Sequence, residues 1–425
     1  MVIGLFVLLP PVILVLLLAR YSVNVPFWDS WELVPIFEKI NNGTVTFGDF
    51  FAQHNEHRIL FPRLIMVGLA NISHWNALYE IATNVVLAAV SFWFLYLIFK
   101  RTFTNQTRLI VGILLVSIIF FSPIQFENWM WGWQIQWFLN VLGLIVAVWS
   151  LSVSKLPPIA RLIIGAIAAT IATYSLASGF FVWLVCAPLL FFSPQLKKLL
   201  PVWIALAIIV VGSHYIGYHD PEYHPSKFLF LHDPLGLLKY FLIYIARPIV
   251  VDFLESIPTA VLYIGAIAGA VGFFARKNLK KEAVILLPWV AIGMYGIFAG
   301  LSTAVSRLGL GLEQAYSNRY ITLSSLLLIA LVVGLLKVHE LMRPGNKALT
   351  YLPIAALSFI LILTCLNFSK GIIQMKERHT YLLTAKQCAQ DARSATDDCL
   401  LKLYPDKDRV WQRLQFVRQE HLSDL

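Results

Sequence analysis

Apolar runs approaching the ~20 residues that a helix needs to cross a bilayer recur along almost the whole sequence, separated by short polar connections. None shows the strict alternation of a barrel strand. Read as helices, they predict spans at about Val2–Ala19, Ala77–Phe99 and Arg108–Ser122, a fourth ending near Ser152, a fifth near Tyr174 and a sixth before Lys197. Five more follow at about Leu200–Tyr215, Ile257–Phe274, Val284–Leu301, Tyr320–Leu336 and Tyr351–Asn367. The fold class is all-α and polytopic, with about 11 transmembrane helices.

The longest interruption follows the first span, VPFWDSWELVPIFEKINNGTVTFGDFFAQHNEHRILFPR from Val25 to Arg63. Within this first loop (24–76), Asp29 to Asn41 reads as a short amphipathic helix ended by Asn42-Gly43. Gly48 to Ala52 reads as a second short turn on the membrane surface. Ile59 to Asn71 is apolar but short, which suits an interfacial segment. Other polar interruptions are the aromatic PIQFENWMWGWQIQW (Pro123–Trp137), the histidine-rich His214–Pro234 with Glu222 and His224, and Ser302–Arg319. The chain divides into a membrane domain, 1–369, and a polar helical tail, 370–425.

Composition supports this reading. Of 425 residues, 59% are hydrophobic and only 13% charged, against about 25% charged in soluble domains, and mean hydropathy is +0.73. The net charge of +10 does not point to nucleic acid, because the basic residues sit mostly in short connections, where topology accounts for them. Met1 to Ala19 lacks a basic leader and a small-residue cleavage site, as a retained signal anchor does. Five basic clusters mark the cytoplasmic side: Lys100/Arg101/Arg108, Lys155/Arg161, Lys197/Lys198, Arg276/Lys277/Lys280/Lys281 and Lys337/Arg343/Lys347. They agree with one another only if Leu235–Val251 does not span. That segment is then interfacial or re-entrant, and all the long polar loops and the tail share the outer face. In that oxidising space Cys388 and Cys399 are candidates for a disulfide, while Cys186 and Cys365 lie in apolar runs.

Outer-loop residues carry the candidate chemistry. Asp29, between Trp28 and Trp31 at the mouth of span one, is a carboxylate at an apolar interface. Burial there raises a carboxyl pKa toward general-base usefulness. Asp29 with Glu32 three positions on also fits a capping box. His54, Glu56, His57 and Arg58 crowd into five residues, a set able to bind a divalent metal, a phosphate or a sugar, without the spacing of a zinc site. Arg307 and Arg319 flank a Gly-containing loop, and arginine's planar fork suits phosphate. Trp129, Trp131, Trp133 and Trp137 suit a sugar or isoprenoid platform, or an interfacial aromatic belt. There is no Gly-rich nucleotide loop and no Ser/His nucleophile signature, which argues against an ATP-driven pump and a cytosolic nucleotide-sugar domain.

FWDSWE with Asp29, QHNEHRILFPR, QFENWMWGWQIQW and SNRY (Ser317–Tyr320) together resemble the GT-C superfamily of membrane glycosyltransferases, in a bacterial branch. The adjacent acidic pair of better-known members is spread here to Asp29 and Glu32. The resemblance implies a multi-pass protein of the bacterial inner or plasma membrane with its active face outside the cytoplasm. It implies a sugar moved from a polyprenyl-phosphate donor to a glycan, lipid or protein acceptor by inverting displacement. Asp29 would be the general base, with Glu32 the second acid. His54, Glu56 and His57 would orient the acceptor or second the base, and Arg307 and Arg319, with Arg58 as a third, would hold the donor phosphate. A divalent metal (Mg or Mn) stays open as cofactor. Rival readings are a lipid-linked glycan polymerase or ligase, and a lipid or glycan transporter.

Overall fold

In hydrocarbon every backbone polar group must find its partner within the segment, so apolar runs of this length fold as helices. The computed structural model describes residues 6–221, 225–276, 279–342, 347–391 and 397–425. Glu222, His224, Lys277 and Arg343 lie outside the described residues.

The chain opens with α1 (Leu9–Tyr21). The first loop then builds α2 (Val34–Asn41), α3 (Phe47–Phe51), a hairpin of β1 (Gln53–His54) and β2 (His57–Arg58), and α4 (Leu60–Ser73). The bundle continues with α5 (Ala77–Thr102) and α6 (Gln106–Phe120), the short α7 (Phe126–Trp129), and α8 (Ile135–Ser152). Next come α9 (Pro158–Thr173), α10 (Phe181–Phe191), α11 (Leu200–His214), α12 (Pro234–Ala246) and α13 (Ser256–Arg276). It closes with α14 (Lys280–Arg307), α15 (Ile321–Leu341), α16 (Lys347–Gln390), α17 (Asp397–Leu400) and α18 (Lys407–Gln419).

Among the described residues, eight helices are long and apolar enough to cross a membrane, and five apolar helices are shorter. The chain is an all-α polytopic membrane protein. The expected count of eleven requires three of the shorter helices, Phe6–Tyr21, Pro158–Thr173 and Ala177–Phe191, to cross as well.

Side-chain contacts sort the connections onto two ends of the bundle. At one end Arg307 meets Glu56, Arg58 donates to the His214 carbonyl, and Asn128 donates to the Arg319 carbonyl. At the other, Trp289 Nε1 donates to Thr102 Oγ1 at 2.8 Å, Arg108 lies 3.7 Å from Glu340, and Arg161 reaches Gln195. Lys337 is buried between Glu282 (3.1 Å) and Glu340 (2.9 Å), a charge taken inside the bundle by its partners rather than left in a loop. The 13 residues of α12 rise only about 20 Å. Arg247, just past its C-terminus, donates to the Tyr316 carbonyl at 2.8 Å, while the helix also packs against the Leu308–Leu310 turn. Its C-terminal end therefore lies at the first end of the bundle.

Within the first loop, the expected helix from Asp29 to Asn41 is broken. Trp28–Leu33 is a 3₁₀ turn and only Val34–Asn41 is α-helical. Pro35 explains the break, since proline fits the first helical turn but would remove a hydrogen bond and clash further inside. The capping box of this loop forms instead at α3, where Asp49 Oδ2 accepts from Thr46 N and Oγ1, both at 2.8 Å. The hydrogen bond from Lys39, the backbone and side-chain hydrogen bonds from Thr46 and the charge of Lys39 hold the Asp49 carboxyl down to about 2.

The tail does not begin where polarity does. α16 runs unbroken for 44 residues, about 66 Å, so residue 370 falls inside it. Beyond it the chain turns back, closed by the disulfide Cys388–Cys399, with Cα atoms 5.5 Å apart. Val410, Leu414 and Val417 line one stripe of α18 and join Trp31, Leu33, Val34, Phe37 and Leu382 in a second apolar core. Each such side chain stabilises the contact by about 1.5–3 kcal/mol. First loop and tail therefore share one core, separate from the core within the bundle.

Candidate functional site

A cavity of about 440 Å³ opens among the loops at the first end of the bundle. Asp29, His54, Glu56 and His57 reach it from the first loop, Trp131 and Trp137 from the aromatic loop, and Arg307 and Arg319 from the two sides of the third loop. Phe181, Phe298, Leu301 and Leu323 form an apolar wall running down into the helices.

Asp29 stands in the first turn of the 3₁₀ segment. The residue at its N-terminal boundary, Phe27, makes no side-chain cap, and the segment is not capped by Asp29 either. The Asp29 Oδ2 lies 3.6 Å from His54 Nε2. His54 is fixed by the hairpin: Gln53 pairs with Arg58 and His54 with His57, around a turn at Asn55 and Glu56. Asn55 takes φ +49° there, a left-handed conformation that asparagine tolerates better than most residues. The edge of the His54 ring meets Trp133, with centroids 5.0 Å apart.

Glu56, at the hairpin tip, pairs with Arg307 at 2.5 Å and lies 3.7 Å from His57 Nε2. His57 Nδ1 accepts the Ala177 N–H at 3.0 Å, so that nitrogen carries no proton. Burial presses the imidazole pKa down to about 4, against the opposing charge of Glu56. His57 is therefore neutral near neutral pH and ties the hairpin to the Ala177–Phe180 turn. In that turn a Cβ on Gly179 would run into the Ala172 carbonyl, so only glycine permits so close an approach.

Arg319 is placed by α7. Glu127 Oε2 accepts from Ser317 Oγ (3.1 Å) and Arg319 N (3.2 Å), and Asn128 Nδ2 donates to the Arg319 carbonyl at 2.8 Å. QFENW and SNRY are thus two halves of one contact. The Arg319 guanidinium, one-third exposed, lies 3.4 Å from Glu127.

Other residues singled out from the sequence stand elsewhere. Arg58 is buried and directed away from the cavity. It donates to the carbonyls of His214 (2.7 Å), Phe51 (2.8 Å) and Ile216, so it locks the hairpin to the end of α11 and does not present a fork to a phosphate. Glu32 is turned toward the tail, not the cavity. Its Oε1 accepts from Tyr404 (2.8 Å) and Arg413 (2.9 Å), and its Oε2 from Arg413 (3.1 Å). Burial raises the Glu32 carboxyl pKa, but the hydrogen bonds and charge of Arg413, with Tyr404, outweigh it and hold the group below its ordinary value. Trp129 is a core residue, stacked on Phe138 at 4.5 Å with Nε1 donating to the Ser122 carbonyl. Trp133 is buried behind His54. Of the four tryptophans expected as a platform, Trp131 and Trp137 line the cavity and Trp129 and Trp133 do not.

Several further lining residues stand out little in the sequence: Gln134, Gln136, Ser178, Lys227 and Tyr320. Two amides inside an otherwise aromatic run were the available signal for the first pair. Ser178 carried none, because its place follows from a hydrogen-bond chain, Ser178 to Tyr295 at 3.1 Å and Tyr295 to Asn140, between distant helices.

Among the described residues, no three His, Cys, Asp or Glu side chains converge as a metal cluster would. The HNEHR donors face protein partners instead: Glu56 meets Arg307, and His57 Nδ1 takes the Ala177 N–H. Compared with protein-family models, with curated proteins and with solved structures, the chain gives no match.

Proposed function

We propose that this protein is a membrane glycosyltransferase of GT-C type, moving a sugar from a polyprenyl-phosphate donor to a hydroxyl acceptor at the outer face of the membrane. One observation carries the reading: a carboxylate–imidazole pair, two arginines and two tryptophans, drawn from three separate loops, face one cavity with an apolar wall. The cavity's polar mouth suits a sugar and a phosphate, and its apolar wall suits the first units of a lipid chain.

In this reading Asp29 takes the proton from the acceptor hydroxyl, with His54 setting the carboxylate's orientation. The freed oxygen attacks the anomeric carbon as the bond to the lipid phosphate breaks, and the configuration inverts. A phosphate departs without being protonated first, so cationic stabilisation can take the place of a second acid. Arg319 is the better placed of the two arginines to accept the leaving phosphate. Arg307 reaches the same charge while holding Glu56 and the hairpin tip. Trp131, Trp137, Gln134 and Gln136 supply a stacking and hydrogen-bonding floor for the sugar. Eleven crossings, with the loops outside and the basic clusters inside, accord with this use of the loop end.

Deleting the gene and weighing the envelope glycans by mass spectrometry tests the reaction class. A transferase predicts that one defined sugar mass is lost from an acceptor that is otherwise still made. Loss of chain length with the repeat unit intact would favour a lipid-linked glycan polymerase or ligase, a reading that needs Arg307 and Arg319 but not Asp29. Accumulation of an unaltered precursor on the cytoplasmic side would favour a transporter.

A further inference from the structure

Asp29 follows a strained residue. Trp28 has φ +48°, a conformation costly for a bulky side chain, which persists only where the surroundings over-determine it. Two bodies grip this turn. From the bundle side Trp131 Nε1 donates to the Phe27 carbonyl (2.9 Å) and approaches Ser30 Oγ (3.2 Å). From the tail side the Trp28 N–H donates to the Leu403 carbonyl at 2.7 Å, and the Arg378 guanidinium covers the Phe27 ring at 4.0 Å. Glu32, on the same turn, carries the strongest of the tail contacts, the two-pronged pair with Arg413 reinforced by Tyr404. The segment bearing Leu403 and Tyr404 is anchored in turn by the Cys388–Cys399 bond.

We propose that Glu32 is a positioning residue, whose clamp on Arg413 and Tyr404 ties the Trp28–Leu33 turn to the tail and so sets Asp29 against His54. The inference rests on the reading that Asp29 and His54 work as a pair. It replaces the role of second acid for Glu32, because both carboxylate oxygens are engaged on the side away from the cavity. It also gives the tail a role, which is to close the back of the site-bearing loop.

The test reads the Asp29–His54 geometry directly and needs no substrate. The full chain, in lipid nanodiscs, is labelled at its 10 histidines and at its aspartates, and the two signals are assigned by their loss in His54→Gln and Asp29→Asn. At one fixed pH the separation of the His54 ring nitrogens from the Asp29 carboxyl carbon is followed by solid-state NMR dipolar recoupling in wild type, Arg413→Gln, Arg413→Lys and Tyr404→Phe. Wild type gives a coupling set by the 3.6 Å approach of Nε2 to Oδ2. If the clamp positions Asp29, Arg413→Gln lets it swing away and weakens the coupling. Tyr404→Phe, which changes no charge, weakens it by less, and Arg413→Lys restores part of it. An unchanged coupling in both Arg413→Gln and Tyr404→Phe, with the Cys388–Cys399 bond intact, overturns the proposal. Because the readout is the resting protein, it stands apart from the transferase reading. If Asp29→Asn abolishes transfer while the clamp variants leave both the coupling and transfer unchanged, the positioning role fails and the reaction assignment survives.

Discussion

Arg307 Nη2 lies 2.5 Å from Glu56 Oε1, joining the tip of the first-loop hairpin to the end of α14 across 251 residues of sequence. Both side chains are about one-fifth exposed, so the pair sits between the surface case, worth under ~1 kcal/mol, and a buried pair whose rupture costs ~3–5 kcal/mol. Glu56→Gln leaves the guanidinium facing the cavity without its carboxylate. We expect a loss on the order of 2 kcal/mol, read as a lower unfolding midpoint in detergent. Arg307→Gln costs a similar amount, and the double variant costs less than the sum of the two. Full additivity would mean that the pair holds nothing in place.

The buried His57 gives the loop a pH response whose sign is fixed. In the folded chain its pKa is depressed to about 4 by burial, while an unfolded histidine titrates near ~6.5. Between those values the unfolded state binds the extra proton. The stability from His57 is therefore complete above about pH 6.5 and is lost as pH falls through about 4. His57→Gln, which keeps an acceptor for the Ala177 N–H, flattens the wild-type fall in stability between pH 6.5 and 4. An unchanged profile in His57→Gln would place the acid-sensitive group elsewhere.

Much of this architecture was legible in the sequence. The apolar runs matched most of the helices to within several residues, because length and hydropathy govern insertion directly, but α16 runs on from the expected end near Asn367 to Gln390. The loops were harder. A hairpin at Gln53–Arg58 was not legible, since its pairing depends on Asn55 accepting a left-handed turn and on Arg58 finding three carbonyls, two of them more than 150 residues away. Asp29, His54, Glu56, His57, Arg307 and Arg319, all lining the cavity, stood out because titratable side chains are rare in such a chain. The same reasoning brought in Arg58 and Glu32, whose charges are spent on a lock and a clamp. Sequence rarity identifies a charge that has a role, but only its partners reveal which role. The run of tryptophans divided for a related reason: Trp129 and Trp131 differ by two positions, yet one enters the core and the other the cavity.

The tail disulfide is open to a simple count. Cys388 and Cys399 are bonded, whereas Cys186 is buried and Cys365 exposed, both as free thiols. Unfolded without reductant, the protein should take up two alkyl groups per chain, and after reduction four. A bridge closing so short a loop constrains the unfolded state by roughly 3 kcal/mol, so Cys388→Ser with Cys399→Ser should lower the thermal midpoint and loosen α18 from the first loop. Uptake of four groups without reductant would place the tail in a reducing compartment.

The two ends of the bundle make separate labelling targets. Asn42 is exposed in the first loop and Thr104 in the connection between α5 and α6. With outer loops and inner basic clusters, an impermeant maleimide applied to intact cells labels Asn42→Cys and spares Thr104→Cys until the membrane is opened. The reverse pattern would turn the cavity toward the cytoplasm and remove the basis for an outer-face donor.

In the proposed reaction Asp29 acts as the base in sugar transfer. Asparagine keeps its shape and removes its basicity, and loss of a general base lowers rate by ~10²–10⁴-fold. Cells lacking the gene are complemented with wild type or Asp29→Asn at matched membrane abundance, and the envelope glycans are weighed by mass spectrometry. Restoration of the missing sugar by wild type, with at most a trace from Asp29→Asn, is the predicted result. Full restoration by Asp29→Asn would contradict it.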